Sequence, residues 1–253
     1  MVVARALPSS VPTAVSTVPR LIDLGTMPYA QALDLQRQRQ EELIRSRGQL
    51  PPDPGTVYLV EHPPVITLTP RARDAGHVLA SERQLAGMGI ALHPTDRGGD
   101  VTYHGPGQIV AYPIVDLQRL GHQGKPLGLH GYMRLLEQAV IDTIERWGLH
   151  GHRDPTATGV WIERPPGPPA KIAAMGVRVR RWVTMHGLAL NVRCNLDHFA
   201  TIVPCGLVGR PVTSMLELLG DQAPDTQAVK AVLGQTLIER LAQAAREAPK
   251  PET

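Results

Sequence analysis

The sequence predicts one α/β domain built on a mixed sheet. Three observations predict it. The chain has 253 residues, a length that suits a single domain with a full core. Its periodic segments run helix, strands, helix, strands, helices. No internal repeat and no linker-like stretch divides them. Hydrophobic residues make up 42% and charged residues 19%, so the chain has the composition of a folded globular protein rather than a disordered one.

The elements follow from local signals, taken in chain order. Residues 1–19 are rich in Pro, Ser, Thr and Val and carry no acidic group. Pro8 and Pro12 interrupt any apolar block, so a flexible tail is expected rather than a secretory signal. Pro28 opens a helix that Gly48 ends. Thr56–Glu61 and Val65–Thr69 read as strands, with Pro63-Pro64 as the break between them. Ile90–His93 is a short strand, and Gln108–Val115 is a core strand as far as Pro113. Leu129–Trp147 is the clearest helix: Met133, Leu136, Val140, Ile141, Ile144 and Trp147 recur at helical spacing and Gly148 stops them. Gly159–Glu163, Lys171–Arg180 and Val183–Val192 are β-like, the last two forming a hairpin, with Pro165–Pro169 as a loop before Lys171. Thr213–Leu219 and Thr226–Ala245 finish the domain as helices. The domain is expected over residues 20–246, with 247–253 as a second tail.

Composition excludes several classes. The formal charge is +3 with no dense Lys/Arg run, so nucleic acid is not an expected partner. No apolar run is long enough to span a membrane. The two cysteines, Cys194 and Cys205, make neither a disulfide scaffold nor a zinc site, and a reducing compartment, the cytoplasm, is expected. No metal and no cofactor are expected.

Four blocks carry chemistry. The first is Arg97-Gly98-Gly99-Asp100-Val101-Thr102-Tyr103-His104-Gly-Pro-Gly-Gln108. Its glycines allow close approach of backbone to a ligand, and Thr102, Tyr103 and His104 supply polar groups beside them. The plain alternative is a glycine-rich hairpin without a ligand. The block lacks the Gly-Lys-Ser/Thr ending of a phosphate loop and precedes a strand, unlike a dinucleotide fingerprint. The second is Lys171-Ile-Ala-Ala174-Met175-Gly176-Val-Arg178. A lysine heading an apolar strand would be partly buried, and an amine beside a thiol can take its proton or hold the thiolate. A solvent-facing lysine at a strand edge is the alternative. The third is Thr184-Met-His186-Gly187-Leu188-Ala189-Leu-Asn191, whose small residues either wall a tunnel for an aliphatic chain or pack in the core. His186, alone in a strand, reads as scaffold. His62, at a strand end before Pro63-Pro64, is expected to face the pocket. The fourth is Pro204-Cys205-Gly206, where a proline and a glycine frame a thiol on a loop, the setting of a candidate nucleophile. Cys194 has no comparable neighbours.

Taken in order, these blocks, with His62-Pro-Pro-Val-Ile-Thr67 before them, resemble the lipoyl(octanoyl)transferase family over about residues 20–220. The chain departs from the family pattern at Thr69-Pro70-Arg71 and in its N-terminal and Pro165–Pro169 additions. The resemblance implies the fold of the biotin/lipoate protein ligase superfamily. It implies an acyltransferase that moves octanoate from octanoyl-acyl carrier protein to a lysine of lipoyl domains. The acceptors would be the E2 subunits of 2-oxoacid dehydrogenases and the glycine cleavage H protein, and the enzyme would be a monomer. Cys205 would carry the acyl thioester and Lys171 would activate it. Arg97–His104, Ala174–Gly176 and Gly187–Ala189 would contact the substrate. An ATP-dependent lipoate–protein ligase, a non-catalytic binder of acyl chains or lipoyl domains, and a cysteine hydrolase using His186 or His104 are the rival readings.

Overall fold

The structure is a computed structural model, and it describes residues 18–74, 76–203 and 209–249. Cys205, Pro204 and Gly206 lie outside the described residues, as do residues 1–17 and 250–253 of the expected tails.

In chain order the strands and α-helices are β1 (Arg20–Thr26), α1 (Tyr29–Arg45), β2 (Thr56–Glu61), β3 (Val65–Leu68), α2 (Pro70–Asp74), α3 (Glu82–Gly87), β4 (Ala91–Pro94), β5 (Val101–His104), β6 (Gln108–Ile114), β7 (Gly121–His122), β8 (Lys125–Pro126), α4 (Gly128–Glu145), β9 (Gly151–Arg153), β10 (Val160–Arg164), β11 (Gly167–Arg180), β12 (Val183–Asn191), α5 (Met215–Leu219) and α6 (Thr226–Arg246). The large sheet runs β1-β2-β6-β12-β11-β10-β9. β1 pairs with β2 in parallel, and the remaining neighbours pair antiparallel. A small sheet, β4-β3-β5, lies beside it, again mixed. The expected mixed-sheet α/β domain is therefore what the chain forms.

Side-chain alternation explains the layers. Val57, Leu59, Ile109, Ala111, Leu188 and Leu190 face one side and are covered by Leu136, Val140 and Ile144 of α4 and Leu233, Leu237 and Leu241 of α6. Tyr58, Val60, Val110, Tyr112, Met185 and Ala189 face the other side, under Ala32, Leu33 and Leu43 of α1. Both faces are buried, so these strands carry apolar residues at nearly every position instead of alternating with polar ones. α6 starts where the Asp225 carboxylate accepts the Gln227 N–H at 3.1 Å, a side-chain cap on an otherwise orphan donor.

Three expectations need correction. The expected strand Gln108–Val115 is β6 and ends one residue short, at Ile114, but its buried part does not stop at Pro113, which pairs with Val57. The Pro165–Pro169 loop is shorter than expected, because β11 already begins at Gly167 and Gly167 pairs with Arg164. β1 was not expected at all: its sequence, Arg-Leu-Ile-Asp-Leu-Gly-Thr, has no clean alternation, and its position as a parallel edge strand is set by Thr56–Leu59 beside it.

Candidate active site

The site lies on the α1 side of the large sheet, where β11 and β12 carry their smallest residues opposite each other. Ala174 pairs with Ala189 and Gly176 with Gly187. With side chains this short the sheet surface forms a slot. Its lining comprises Ala174, Met175, Gly176, Gly187, Leu188 and Ala189 from this hairpin, Arg97, Gly99, Asp100, Thr102 and His104 from the glycine-rich block, and Tyr29, Val110, Tyr112 and His186. The two glycines are fixed by close backbone approach. A Cβ on Gly176 would stand 2.7 Å from the Gly98 carbonyl oxygen, and one on Gly187 would stand 2.2 Å from that of Ala111.

Most of the expected substrate-contacting residues thus meet around one slot. Thr102 and His104 face it, whereas Val101 and Tyr103 alternate to the opposite side of β5 and pack in the small-sheet core. Gly98 closes the floor through its backbone, donating its N–H to Val177 O at 2.9 Å. Arg97 is aimed by donating to Thr67 O and Thr67 Oγ1, each at 3.1 Å.

Lys171 is buried, with 6% of its surface exposed. It lines a second, smaller cavity with Thr102, Gln108, Ala174, Asn191, Phe199 and Val212, and Thr102 and Ala174 belong to both cavities. Lys171 therefore lines a cavity that adjoins the slot. Its Nζ donates to Thr158 O at 3.1 Å and lies 4.8 Å from the centroid of the Trp161 ring. Its backbone is held by the stretch that follows the Cys205 segment: Lys171 N–H donates to Pro211 O at 2.9 Å, and Thr213 N–H donates to Lys171 O at 3.0 Å. Upstream of that segment, Val203 N–H donates to His77 O at 2.8 Å, and His77 Nδ1 pairs with the slot-lining Asp100 carboxylate at 2.8 Å.

Three histidines in and around the slot are fixed by hydrogen bonds. His62 Nδ1–H donates to Met27 O at 2.7 Å, which leaves Nε2 to accept from the Tyr112 hydroxyl at 2.8 Å. His104 Nδ1–H donates to Gln108 Oε1 at 2.7 Å, and Gln108 is itself fixed by donating to Asn191 Oδ1 at 2.8 Å. Burial pushes the His62 imidazole down to about 4 and the His104 imidazole down to about 3, so both rings are neutral near pH 7. His186 is also held below its ordinary value by burial, partly offset by the Asp96 carboxylate 3.0 Å from its Nε2. That hydrogen bond in turn brings Asp96 down to about 2. Neutral rings are compatible with an aliphatic chain beside them, where charged ones would impose a large desolvation cost.

These histidines give the fold a pH signature. A histidine whose folded value lies below its unfolded value near 6.5 stabilises the fold above that value, and the contribution is lost as pH falls toward the folded one. Between pH 6.5 and about 4, His62 and His104 bind protons in the unfolded chain only. We expect their joint effect to be a loss of stability of about 3 kcal/mol per pH unit on acidification across that window. Denaturant titrations at a series of pH values check this, and His62→Gln should flatten the slope by about one proton.

Sequence reasoning missed Tyr29, Val110 and Tyr112, which line the slot from α1 and β6. Their only signal was an aromatic or branched residue in an ordinary apolar pattern. His186 was read as scaffold, and it does anchor the region: its N–H donates to Gln36 Oε1 at 2.8 Å. It also lines the slot, because its φ of +60° interrupts the β12 alternation that would have turned it to the other face. Among the described residues no group of three or more His, Cys, Asp or Glu is placed to hold a metal, and no helix is long and apolar enough to cross a membrane.

The slot, the buried lysine beside it and the mixed sheet define a small-molecule site on an α/β domain. Residues 28–238 match the lipoyl protein ligase A/B catalytic domain. The fold is shared with a bi-partite lipoate protein ligase from Thermoplasma acidophilum, at 17% identity and a TM-score of 0.63 over 88% of this chain and 84% of that one. It is shared too with a lipoate-protein ligase A bound with ATP, at 16% identity and a TM-score of 0.60 over 91% of this chain and 93% of that one. The octanoyltransferase of Gloeobacter violaceus is 48% identical over 198 residues, covering 78% of this chain and 80% of its own. That of Christiangramia forsetii is 42% identical over 217 residues, covering 83% and 90%. The chain belongs to the octanoyltransferases within the lipoyl protein ligase A/B family.

Proposed function

We propose that this protein transfers an octanoyl group from a thioester of acyl carrier protein to a lysine of lipoyl domains, by way of a thioester on Cys205. The observation that carries the reading is Lys171, a buried amine beside a slot floored by Ala174, Gly176, Gly187 and Ala189. An eight-carbon chain buried in such a slot would gain roughly 6 kcal/mol, at about 0.8 per methylene. The relatives named octanoyltransferase support the acyl group. Cys205 enters through its Pro-Cys-Gly motif, and Lys171 through the lysine block that the resemblance matches to it.

The chemistry runs in two balanced halves. The Cys205 thiolate attacks the thioester carbonyl, the bond to the carrier sulfur breaks, and the departing thiolate takes a proton from the Lys171 ammonium. The acceptor amine then attacks the acyl-cysteine carbonyl, gives up a proton to the Lys171 amine, and expels the Cys205 thiolate. The product amide is more stable than either thioester, so transfer runs forward without a nucleotide. Arg97, Gly99, Asp100, Thr102 and His104, with Ala174–Gly176 and Gly187–Ala189, hold the acyl chain during both halves. The acceptors in this reading are lipoyl domains of 2-oxoacid dehydrogenase E2 subunits and the glycine cleavage H protein, with the enzyme acting as a cytoplasmic monomer.

Intact-protein mass spectrometry tests the scheme. Incubation with octanoyl-acyl carrier protein alone should add one octanoyl group, and adding a lipoyl domain should remove it. Transfer that requires ATP would instead assign the chain to acid activation through an adenylate, and free octanoate as the sole product would assign it to hydrolysis.

A further inference from the structure

We infer that Trp161 and Arg210 are positioning residues for the Lys171 amine, the Trp161 ring attracting its positive charge and the Arg210 guanidinium repelling it. The inference rests on the role proposed for Lys171 above.

Trp161 is the largest fully buried side chain of the described residues, yet it belongs to none of the three apolar clusters found among them. Two cations lie over its ring. On β10 it stands in register with Lys171 on β11, and the Lys171 Nζ lies 4.8 Å from the centroid of its ring. The Arg210 Cζ lies 3.9 Å from the same centroid. A buried indole that touches two cations offers its negative ring face to both.

The ring is itself fixed. Trp161 Nε1–H donates to Ala157 O at 3.0 Å. The next carbonyl, Thr158 O, accepts from Lys171 Nζ at 3.1 Å. The same short loop grips Arg210, whose guanidinium pairs with Asp154 and donates to Thr156 Oγ1 at 3.2 Å. That pairing holds the Asp154 carboxyl well below the usual carboxylate range. Residues 154–158 thus seat the ring, one carbonyl that receives the lysine, and the arginine that covers the ring.

The ring face and the Thr158 carbonyl oxygen both attract positive charge at Lys171 Nζ. Arg210 opposes this by like-charge repulsion across the shared ring. The other residues lining the Lys171 cavity, Thr102, Gln108, Ala174, Asn191, Phe199 and Val212, carry no charge. Glu137, which accepts the Gly159 N–H at 3.1 Å, is the nearby buried carboxylate on α4, and Arg134 and Arg153 pair with it. Trp161 and Arg210 therefore act on the amine in opposite directions, which a purely structural role would not produce.

The test is the pH–rate profile of acyl loading from octanoyl-acyl carrier protein, with folding checked by circular dichroism. Trp161→Leu should lower kcat about 30-fold with KM changed less than threefold, and move the alkaline limb about one pH unit down. Trp161→Phe, which keeps a ring face, should recover at least a third of the lost kcat and most of the limb. Arg210→Gln should move the limb in the other direction, upward by about half a unit. Limbs that do not move, or that move the same way in the Trp161→Leu and Arg210→Gln variants, would overturn the inference. If Trp161→Leu does not fold, the direction of the Arg210→Gln shift decides. Failure of the underlying reading looks different: wild-type protein would then take up no octanoyl group at all.

Discussion

Cys205→Ser should remove the octanoyl adduct and lower transfer at least about 10⁴-fold, in line with losses seen when a covalent nucleophile is replaced. A serine hydroxyl is far more basic as an anion than a thiolate and is barely ionised near neutrality, so the replacement keeps the shape of the side chain but not its nucleophilicity. The control lies in the second cysteine. Cys194 is buried beside Phe199 and Ile202 in the small-sheet core, and burial pushes its thiol up to about 12. It stays protonated and has no path to an acyl donor. Cys194→Ala should therefore load octanoate as the unaltered protein does, while Cys205→Ser should not. An adduct that persists in Cys205→Ser, located by peptide mapping, would remove the covalent scheme.

Lys171→Met should be nearly as damaging, with loss of about 10²- to 10⁴-fold near pH 7. Methionine approximates the length of the aliphatic stem and can pack against Trp161, so the change isolates the amine. The pH dependence identifies the cause. Without a cation to hold it, the thiol ionises in its ordinary range near 8.5, so the variant's rate should climb about tenfold per pH unit between 7 and 8.5 and then level. Stopped-time acyl loading across that range makes the measurement. A variant with a flat profile and a uniform loss would mean that Lys171 shapes the slot and does not manage a proton.

The residues that carry these predictions differ in how visible they were in the sequence. Gly176 and Gly187 announced close backbone approach, because a glycine inside a strand gives up packing that another residue would supply, and Gly98 and Gly99 did so as a glycine pair before a strand. Lys171 stood out for heading an apolar strand, and it is buried as expected. Tyr29 and Tyr112 did not stand out. An aromatic residue at a core position looks the same whether it fills a core or closes a slot, and only the hydrogen bonds Tyr29 OH to Thr95 Oγ1 and Tyr112 OH to His62 distinguish them. Trp161 was similarly silent within Gly159-Val-Trp-Ile-Glu163, since its partner Arg210 lies 49 positions away in the chain.

Two kinds of information therefore divide here. Local chemistry, written in short stretches, determined most of the long elements, the mixed α/β class, the glycine-rich floor and the candidate nucleophile and amine, because backbone freedom, periodicity and side-chain type act within a few residues. Tertiary structure decided what those residues face. It turned His186 into the slot through a single positive φ, sent Val101 and Tyr103 away from it by strand alternation, and set Lys171 between the Trp161 ring and the Thr158 carbonyl. The cause is common to all three: orientation and electrostatic surroundings depend on strand register and on neighbours distant in the chain, and neither is encoded in any one segment.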